Sequence, residues 1–255
     1  MAKVYKAHNP LRVETYRYIT IISGLWLISF FIFVLMDVLE IMQYFGYGYL
    51  CFVCLMSGYL GRKVRINLNG LTGEGRALKI VKNLPPDYTV FSNVTLSFEE
   101  QESETDLIIV GKKGVFLIEV KNHNGVITGK PDDKRWVQFK ETKLGGKYAN
   151  PFYNPTKQVK THVYRLSGVL KEVGYSYWIQ GMVYFVNPLV EVKAFSNQIP
   201  VLTLDKSFKS FLAEYEPKRE VTKTEQQLIV SSIRQQIADE KQRIKTKQHI
   251  EKKGN

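Results

Sequence analysis

Acidic and basic side chains with the spacing of a hydrolytic metal site lie in one short stretch, Thr105 to Lys121, with the sequence TDLIIVGKKGVFLIEVK. Two runs rich in β-branched residues flank the turn GKKG at 111–114, which predicts a β-hairpin. If the turn closes symmetrically, Asp106 lies opposite Glu119, with Cβ atoms about 5 Å apart. Two like charges so close need a neutralising cation, and Lys121 projects from the same strand face as Glu119. The stretch therefore predicts a site that binds magnesium and activates water.

Two long runs without charged residues precede this stretch, from Tyr18 to Met36 and from Ile41 to Gly61. Each is close to the roughly 20 residues that a helix needs to cross a membrane, and the short connection between them predicts a helical hairpin. Basic residues flank the pair and none lies between, which places both flanks in the cytoplasm. A signal peptide would be shorter and lack the second run, and a buried core hairpin would carry polar positions at helical spacing. We therefore expect a protein of the cell membrane with two spans and cytoplasmic termini.

The formal net charge of +12 is unevenly distributed: residues 1–61 carry +1, residues 62–216 carry +6 and residues 217–255 carry +5. A basic domain beside a membrane attracts nucleic acid, and anionic lipid head groups give the same signal. Charge alone does not choose between these partners. Cys51 and Cys54 lie within the second apolar run, and we interpret them as small apolar residues, because a lone CxxC is a weak metal signal.

The patterns divide the chain into four segments: a cytoplasmic N-terminal segment at 1–17, a transmembrane helical hairpin at 18–61, a globular domain at 62–216, and a C-terminal helix with a basic tail at 217–255. In the third segment we predict a linker at 62–71 and a helix capped by Thr72. Glu74 would then lie in the first helical turn, where an acid stabilises the helix dipole whatever its function.

The globular domain alternates strand and helix patterns. Strands are predicted at 89–98, on both sides of the central turn, and at 126–129, 135–140, 178–187 and 199–204. Polar loops are predicted at 99–104 and 143–154, and helices at 154–173, at 206–215 and from 218 onward, fraying beyond Glu240. This order predicts an α/β sandwich with a mixed sheet.

The helix predicted from residue 154 has Asn154 as N-cap and Pro155 at its first position. Gln158 and His162 are four residues apart and share a helix face that can look towards the hairpin. For His162 we favour a surface or half-buried position without a functional role. Trp136 is interpreted as a packing residue.

Taken together, these residues resemble the nuclease-related domain (NERD) of the PD-(D/E)XK nuclease superfamily, over roughly residues 70–190. The Pro-Asp dipeptide of the superfamily is Thr105-Asp106 in this chain. The resemblance implies a restriction-endonuclease-like mixed β-sheet sandwiched by helices and, in this chain, preceded by two transmembrane helices. The matching elements are Gly73-Glu74 opening a helix, Asp106 in DLIIV, GVFLIEVKNHNG at 114–125, Trp136, and the Asn154-Pro155-x-x-Gln158 helix start.

The resemblance also implies roles for individual residues. Asp106 and Glu119 would hold one or two Mg²⁺ (or Mn²⁺) ions, with Glu74 as a further ligand, directly or through water. Lys121 would orient or activate the attacking water, and Gln158 would stand beside the site on its helix. Basic side chains could contact the phosphate backbone without reading sequence: Lys112, Lys113, Lys130, Lys134, Arg135 and Lys157.

Three functions remain open at this point. The leading hypothesis is a membrane-anchored, magnesium-dependent nuclease that acts on nucleic acid, preferably DNA, at the cytoplasmic face. The second is an inactive module of the same fold, tethered to the bilayer through residues 18–61, that binds nucleic acid or a protein. In the third, the carboxylates of the hairpin are ordinary polar residues on the open face of a half-buried sheet.

Overall fold

The computed structural model describes residues 1–39, 43–141, 145–176, 178–203 and 205–253. The elements, in chain order, are β1 (Lys3–Lys6), α1 (Pro10–Leu39), α2 (Gln43–Lys82), β2 (Thr89–Phe98), β3 (Gln101–Gly111), β4 (Gly114–Lys121), β5 (Gly125–Thr128), β6 (Arg135–Glu141), β7 (Lys147–Tyr153), α3 (Pro155–Lys171), β8 (Ile179–Phe185), β9 (Val190–Val192), β10 (Val201–Thr203), α4 (Asp205–Glu214) and α5 (Lys223–Lys253). They form two compact units: Met1–His8 with Gly73–Asn255, and Asn9–Thr72.

The unit Asn9–Thr72 contains α1 and most of α2. Within the described residues, one helix is long and apolar enough to cross a membrane, and it covers Pro10–Leu35. The prediction of two spans is therefore not supported, because tyrosines and glycines dilute the apolar run that begins α2. The connection predicted at 37–40 is helical as far as Leu39, and Glu40 lies outside the described residues.

The predicted linker at 62–71 and the N-cap at Thr72 are wrong, because α2 runs without a break from Gln43 to Lys82. Thr72 lies inside this helix, and its hydroxyl donates to the carbonyl of Leu68 at 2.7 Å. Serine and threonine side chains satisfy themselves in this way in helix interiors as well as at caps. Thr72 therefore does not mark the start of a helix, although threonine is favoured at N-caps.

A six-stranded mixed sheet forms the larger unit, in the order β1-β2-β3-β4-β8-β10. Strands β2, β3 and β4 are antiparallel, whereas β1, β8 and β10 join by parallel pairing. The predicted α/β sandwich with a mixed sheet is confirmed, since each face is covered by helices. On one face α3 and α5 contribute Val159, Leu166, Ile229 and Ile233 to the core, and on the other α2 and α4 contribute Ala77, Val81, Phe208 and Leu212.

A second, four-stranded sheet has the order β7-β6-β5-β9. Trp136 of β6 is fully buried in the core beneath α3, as its interpretation as a packing residue requires, and its indole N–H donates to the carbonyl of Lys130 at 3.0 Å. Strand β7 occupies Lys147–Tyr153, where a polar loop was predicted, because pairing with β6 outweighs its weak strand propensity.

Other boundaries differ at the chain ends and at one turn. Strand β1 was not predicted, since four residues are too few to show an alternating pattern. The loop predicted at 99–104 is mostly part of β3, which starts at Gln101. Helix α5 continues to Lys253 instead of fraying beyond Glu240, whose neighbour Arg243 forms an ion pair with Glu102 of β3.

Candidate active site

The hairpin of β3 and β4 closes with the predicted register. Its Cα partners run from Gly111↔Gly114 to Leu107↔Ile118, so the next positions along the two strands are Asp106 and Glu119. The turn has two residues, and Gly114 has φ of +138°, a conformation that favours glycine. The even-numbered residues of β3 and the odd-numbered residues of β4 therefore face α3 and α5 together.

Asp106 lies where the regular pairing of β3 is interrupted on both sides. On the β4 side the ladder ends at Leu107, and the carboxylate of Asp106 accepts the backbone N–H of Val120 at 2.6 Å. On the β2 side the registered pairs pass from Ser92↔Leu107 to Val94↔Thr105. Asn93, which would face Asp106, has φ of +60°, in the left-handed region that asparagine tolerates better than most residues. The backbone is thus shaped around this carboxylate.

Glu119 is buried and is held from two sides. Its Oε1 lies 2.7 Å from Nζ of Lys121, and its Oε2 lies 3.5 Å from Nε2 of His162 on α3. His162 is 8% exposed, so the expectation of a surface or half-buried histidine is wrong. Its Nδ1 is buried and has no hydrogen-bond partner among the described residues. An imidazole therefore lies next to the predicted carboxylate.

The pKa values of Asp106 and Glu119 are shifted in opposite directions. Burial raises the pKa of Asp106 well above its ordinary value, and the nearby Glu119 raises it further, against weaker opposition from Lys121 and the Val120 N–H. Burial also raises the pKa of Glu119, but Lys121 and His162 outweigh it, so that this pKa is lowered. Asp106 is therefore harder to ionise than Glu119, and a divalent cation would favour the ionised form of both.

Lys121 interacts electrostatically with the same two acids. Burial lowers the pKa of Lys121, but Glu119 and Asp106 raise it by more, so the pKa stands above its ordinary value. A lowered pKa of Lys121 would therefore require the positive charge of a bound metal ion. In the metal-free site Lys121 is a cation that neutralises the acids.

Two further acids belong to the same group of interacting charges, Glu74 on α2 and Glu104 on β3. The Glu74 carboxylate on α2 accepts from the side chain of Asn93 at 2.9 Å, and its charge contributes to the raised pKa of Asp106. Burial, followed by the charges of Glu74, Glu240 and Glu119, raises the pKa of Glu104 to about 7. Glu104 was not predicted as a site residue, although strand alternation places it on the same face of β3 as Asp106.

Gly73 sets the position of α2 against the end of β4. A Cβ atom built on Gly73 would lie 2.6 Å from Cβ of Asn122, the residue that follows Lys121. Only glycine fits at this separation, so the helix can approach the strand closely enough to bring Glu74 near Asp106. The Gly-Glu pair in the sequence thus combines a contact requirement with an acidic side chain.

Helix α3 begins as predicted, with Asn154 as N-cap accepting from Thr156 N and with Pro155 at the first position. Gln158 lies one turn before His162 and is half-buried. Its backbone N–H bonds to the carbonyl of Asn154, and the described part of the chain supplies its side chain with no hydrogen bond to the acids. Its role beside the site stays a prediction.

The basic residues predicted to contact phosphates fall in two places. Lys112 and Lys113 form the hairpin turn, and the seven steps of β4 from Gly114 to Lys121 place about 23 Å of strand between the turn and Lys121. The structure therefore does not bring them to the acids, and Nζ of Lys113 instead bonds to the carbonyls of Leu212 and Ala213. Lys130 and Lys157 meet at the start of α3, where Nζ of Lys157 bonds to the carbonyl of Asp132 at 2.7 Å.

The family comparison covers the part of the chain that contains this arrangement. Residues 69–186 match the family model of the nuclease-related domain. This part of the chain is similar to a NERD domain. The matched range includes all five predicted site residues and the strands from β2 to β8.

A relative and the solved structures add little to the family match. Over 93 residues, 36% of this chain, the sequence is 33% identical to an uncharacterized protein of Bacillus anthracis. The matched segment spans 43% of that relative, less than half of its length. No solved structure matches the chain at a significant level.

A NERD domain implies the use of a divalent metal ion, and the side chains of this site fit an ion that needs few protein ligands. The described residues contain no group of three or more histidine, cysteine or acidic side chains arranged to hold a metal. Magnesium, however, is usually held by one or two carboxylates and several waters. Asp106 and Glu119 supply two such carboxylates, and the raised pKa of Asp106 reflects burial beside the like charge of Glu119, which a divalent cation would offset.

Proposed function

We propose that this protein is a metal-dependent nuclease that hydrolyses phosphodiester bonds of nucleic acid, with DNA as the preferred substrate. The observation that carries the proposal is the convergence of three groups at one end of the β3–β4 hairpin. The Asp106 carboxylate is bound to Val120 N–H, Glu119 is the next position across, and Lys121 lies 2.7 Å from Glu119. Two acids with an ammonium group beside one of them are suited to phosphodiester hydrolysis.

Asp106 and Glu119 would hold the divalent cation, with Glu74 contributing directly or through water. When bound, the cation supplies positive charge to the phosphate oxygens and makes a coordinated water more acidic. Lys121 would donate hydrogen bonds that orient the attacking water or the phosphate beside Glu119. His162 would hold Glu119 in place from α3, which fixes the direction in which the carboxylate points.

The test compares three forms of the full chain in detergent micelles, supplied with Mg²⁺ or Mn²⁺ and either plasmid or single-stranded DNA. Wild type should cleave, and Lys121→Ala should lose at least 100-fold in rate, the size of effect expected for a positioned proton donor or acceptor. Lys112→Ala is the matched control, since it removes an exposed lysine about 23 Å away along the same strands, and its rate should equal that of wild type. Equal cleavage by wild type and Lys121→Ala would contradict the proposal.

A second function is favoured by one specific observation. Both oxygens of Glu119 already have cationic or polar partners, Lys121 and His162, so a metal ion would have to share or displace them. An inactive module that binds nucleic acid or a protein could retain this closed ion pair. Calorimetry with Mn²⁺ separates the two: a nuclease site binds the ion and loses it in Asp106→Asn, whereas an inactive module gives no heat in either form.

We also propose that the protein is attached to a membrane through Asn9–Thr72, with both ends of this unit at the cytoplasmic face. Its support is connectivity: β1 precedes α1 and pairs with β2, which follows α2. Residues on both sides of Asn9–Thr72 thus belong to one sheet, so a bilayer entered by α1 has to be left on the same side before Gly73.

Cysteine labelling tests this topology. Single cysteines at Lys6 and at Lys82, in a background with Cys51 and Cys54 changed to serine, should react alike with an impermeant maleimide in sealed membrane vesicles. Labelling of one position with protection of the other would contradict it.

A further inference from the structure

The four-stranded sheet has one buried face and one open face. Pairing of β6 with β7 and β5 places Trp136, Gln138 and Ile127 on the same side, and all three are fully buried. By strand alternation the neighbouring residues point the other way. On that side Phe139 of β6 is 44% exposed and Tyr153 of β7 is 46% exposed. The open face therefore displays two large aromatic rings.

The surroundings of these rings are also apolar. Between them the register aligns Val137 with Pro151 and Phe139 with Ala149, and Val126 of β5 lies beside Phe139. The open side of an antiparallel sheet normally carries polar residues. A continuous apolar strip that includes exposed aromatics instead indicates a binding surface. This apolar strip, with Phe139 and Tyr153 at its two ends, makes up the open face.

The four-stranded sheet follows the candidate active site closely in the chain, and its buried side packs against the residues that come after Lys121. His123, two residues after Lys121, stacks on Phe152 with ring centroids 4.4 Å apart and bonds to Gln138 at 3.1 Å. Gly125 then packs against the backbone of Phe139, where an added Cβ atom would lie 2.3 Å from the carbonyl oxygen. Because only three residues lie between Lys121 and Gly125, the four-stranded sheet begins close to the acids.

Charge identifies the kind of polymer. Residues 126–160, which contain β5, β6, β7 and the start of α3, hold eight lysines and arginines against three acids. One of these acids, Glu141, is already paired with Lys147 at 3.3 Å. At the Tyr153 end, the register places Arg135 directly beside the ring, and Lys130 and Lys157 lie at the adjoining loop and helix start. Cations around an apolar aromatic strip match a phosphate chain whose bases are unpaired.

We propose that the open face binds the bases of single-stranded nucleic acid by stacking on Phe139 and Tyr153, next to the site where the strand is cut. The two rings are about 14 Å apart, since four residues along the strand and one strand across separate them. A duplex keeps its base faces inside and offers none to such rings, so the surface selects single strands, ends or gaps. This inference rests on the proposed nuclease function for its substrate, and it adds which form of that substrate is bound.

Binding is measured apart from catalysis, by fluorescence anisotropy of the full chain in detergent micelles without divalent metal. The probes are a labelled single-stranded oligonucleotide and the same sequence as a duplex. Phe139→Ala and Tyr153→Ala should each weaken single-strand binding about 5- to 100-fold, the range found for loss of one base–aromatic stack. Duplex binding should change less than about 2-fold, because it depends on phosphate contacts.

Two further variants separate stacking from folding and from general apolar contact. Trp178→Ala removes another exposed aromatic ring, 68% exposed and at the start of β8, and should bind like wild type. Phe139→Leu keeps apolar bulk and folding but removes the ring, and it should weaken single-strand binding as Phe139→Ala does. Unchanged single-strand affinity in Phe139→Leu and Tyr153→Ala would overturn the proposal. It would also be overturned if the two variants changed the oligomeric state of the protein and wild type bound no nucleic acid.

The outcome is distinguishable from failure of the nuclease proposal. Ring-dependent binding of single strands by a wild-type protein that never cleaves would support the open face and reject catalysis. Cleavage that depends on Lys121, together with single-strand affinity that does not depend on Phe139 or Tyr153, would reject binding at the open face and support the nuclease proposal.

Discussion

Asp106 accepts the backbone N–H of Val120 through its carboxylate, with 2.6 Å between Oδ2 and N. In a continued antiparallel ladder such an N–H would meet a backbone carbonyl of the partner strand. The side chain takes that place at the point where the registered pairs of β3 and β4 end. The hydrogen bond thus holds one acid beside Glu119 although burial and like charge oppose its ionisation.

The first prediction separates the hydrogen bond of Asp106 from its charge. Asp106→Asn keeps an oxygen acceptor for Val120 N–H and removes the negative charge, so the metal-free protein should be as stable as wild type or more stable. Asp106→Ala leaves the N–H without its partner and should cost about 1–3 kcal/mol of unfolding free energy. Urea unfolding of the full chain in micelles, followed by the fluorescence of buried Trp136, measures both.

Metal binding is the second measurement on Asp106→Asn and Asp106→Ala. Both variants should lose the calorimetric signal of Mn²⁺, because each removes one of two carboxylates. Equal destabilisation by Asn and Ala would contradict the role of the Asp106 side chain in the backbone ladder.

The second prediction concerns the close approach of α2 to the end of β4. Gly73→Ala introduces a Cβ atom 2.6 Å from Cβ of Asn122, so helix or strand must shift beside Lys121. We expect a loss of about 1–3 kcal/mol in stability, as for other overpacked sites, and a fall in nuclease rate. Unfolding free energy and cleavage rate are the measurements.

Gly75 supplies the matched control, because a Cβ atom there has nothing within 4 Å. Gly75→Ala should raise stability by up to about 1 kcal/mol, since alanine favours the helix. Similar behaviour of the two variants would mean that Gly73 is not required for the contact with Asn122.

The hairpin could be predicted from sequence because its information is local. A two-residue turn fixes the register of the strands that it joins, and strand alternation then assigns faces, so Asp106, Glu119 and Lys121 were placed correctly on β3 and β4. The helix start at Asn154 was equally local, since its cap and its proline are adjacent in the chain. Such features need no knowledge of the rest of the fold.

Features that depend on distant packing were missed. His162 is separated from Glu119 by 43 positions, and only the crossing of α3 over the sheet brings them within 3.5 Å. Glu104 was assigned to a polar loop, because the pairing that extends β3 comes from β2 and leaves no mark on the acidic sequence itself. Strand β7 and the open face likewise exist only through pairing with β6.

The third prediction concerns the buried ion pair of Lys121 and Glu119. Lys121→Ala leaves Glu119 with His162 as its partner, and removal of one member of a buried pair costs about 3 kcal/mol or more. We expect a loss of about 2–3 kcal/mol in the metal-free protein, since the lysine side chain is 19% exposed and part of the charge is screened. Urea unfolding measures the loss.

Glu119→Gln tests whether the cost comes from the unpaired charge. The double variant Lys121→Ala with Glu119→Gln should recover at least half of the stability lost by Lys121→Ala alone, because no buried carboxylate then remains unpaired. Additive losses in this double-mutant cycle would mean that the ion pair contributes nothing beyond packing.

The last prediction is a pH dependence that Glu104 produces. Its pKa in the folded protein is about 7, raised from an ordinary value of 4.5 by burial and by Glu74, Glu240 and Glu119. A group whose pKa is higher in the folded state binds its proton more tightly there, so its contribution to stability is complete below pH about 4.5 and is lost as pH rises through 7. Relative to Glu104→Gln, wild type should therefore lose about 1–2 kcal/mol between pH 4.5 and pH 8, after allowance for solvent screening.

Urea unfolding of both proteins without metal measures this difference, and Glu100→Gln, an exposed carboxyl at the β2–β3 turn, should show no such pH-dependent gap. A constant difference between wild type and Glu104→Gln across this range would show that Glu104 does not share the electrostatic field of the acids around Asp106.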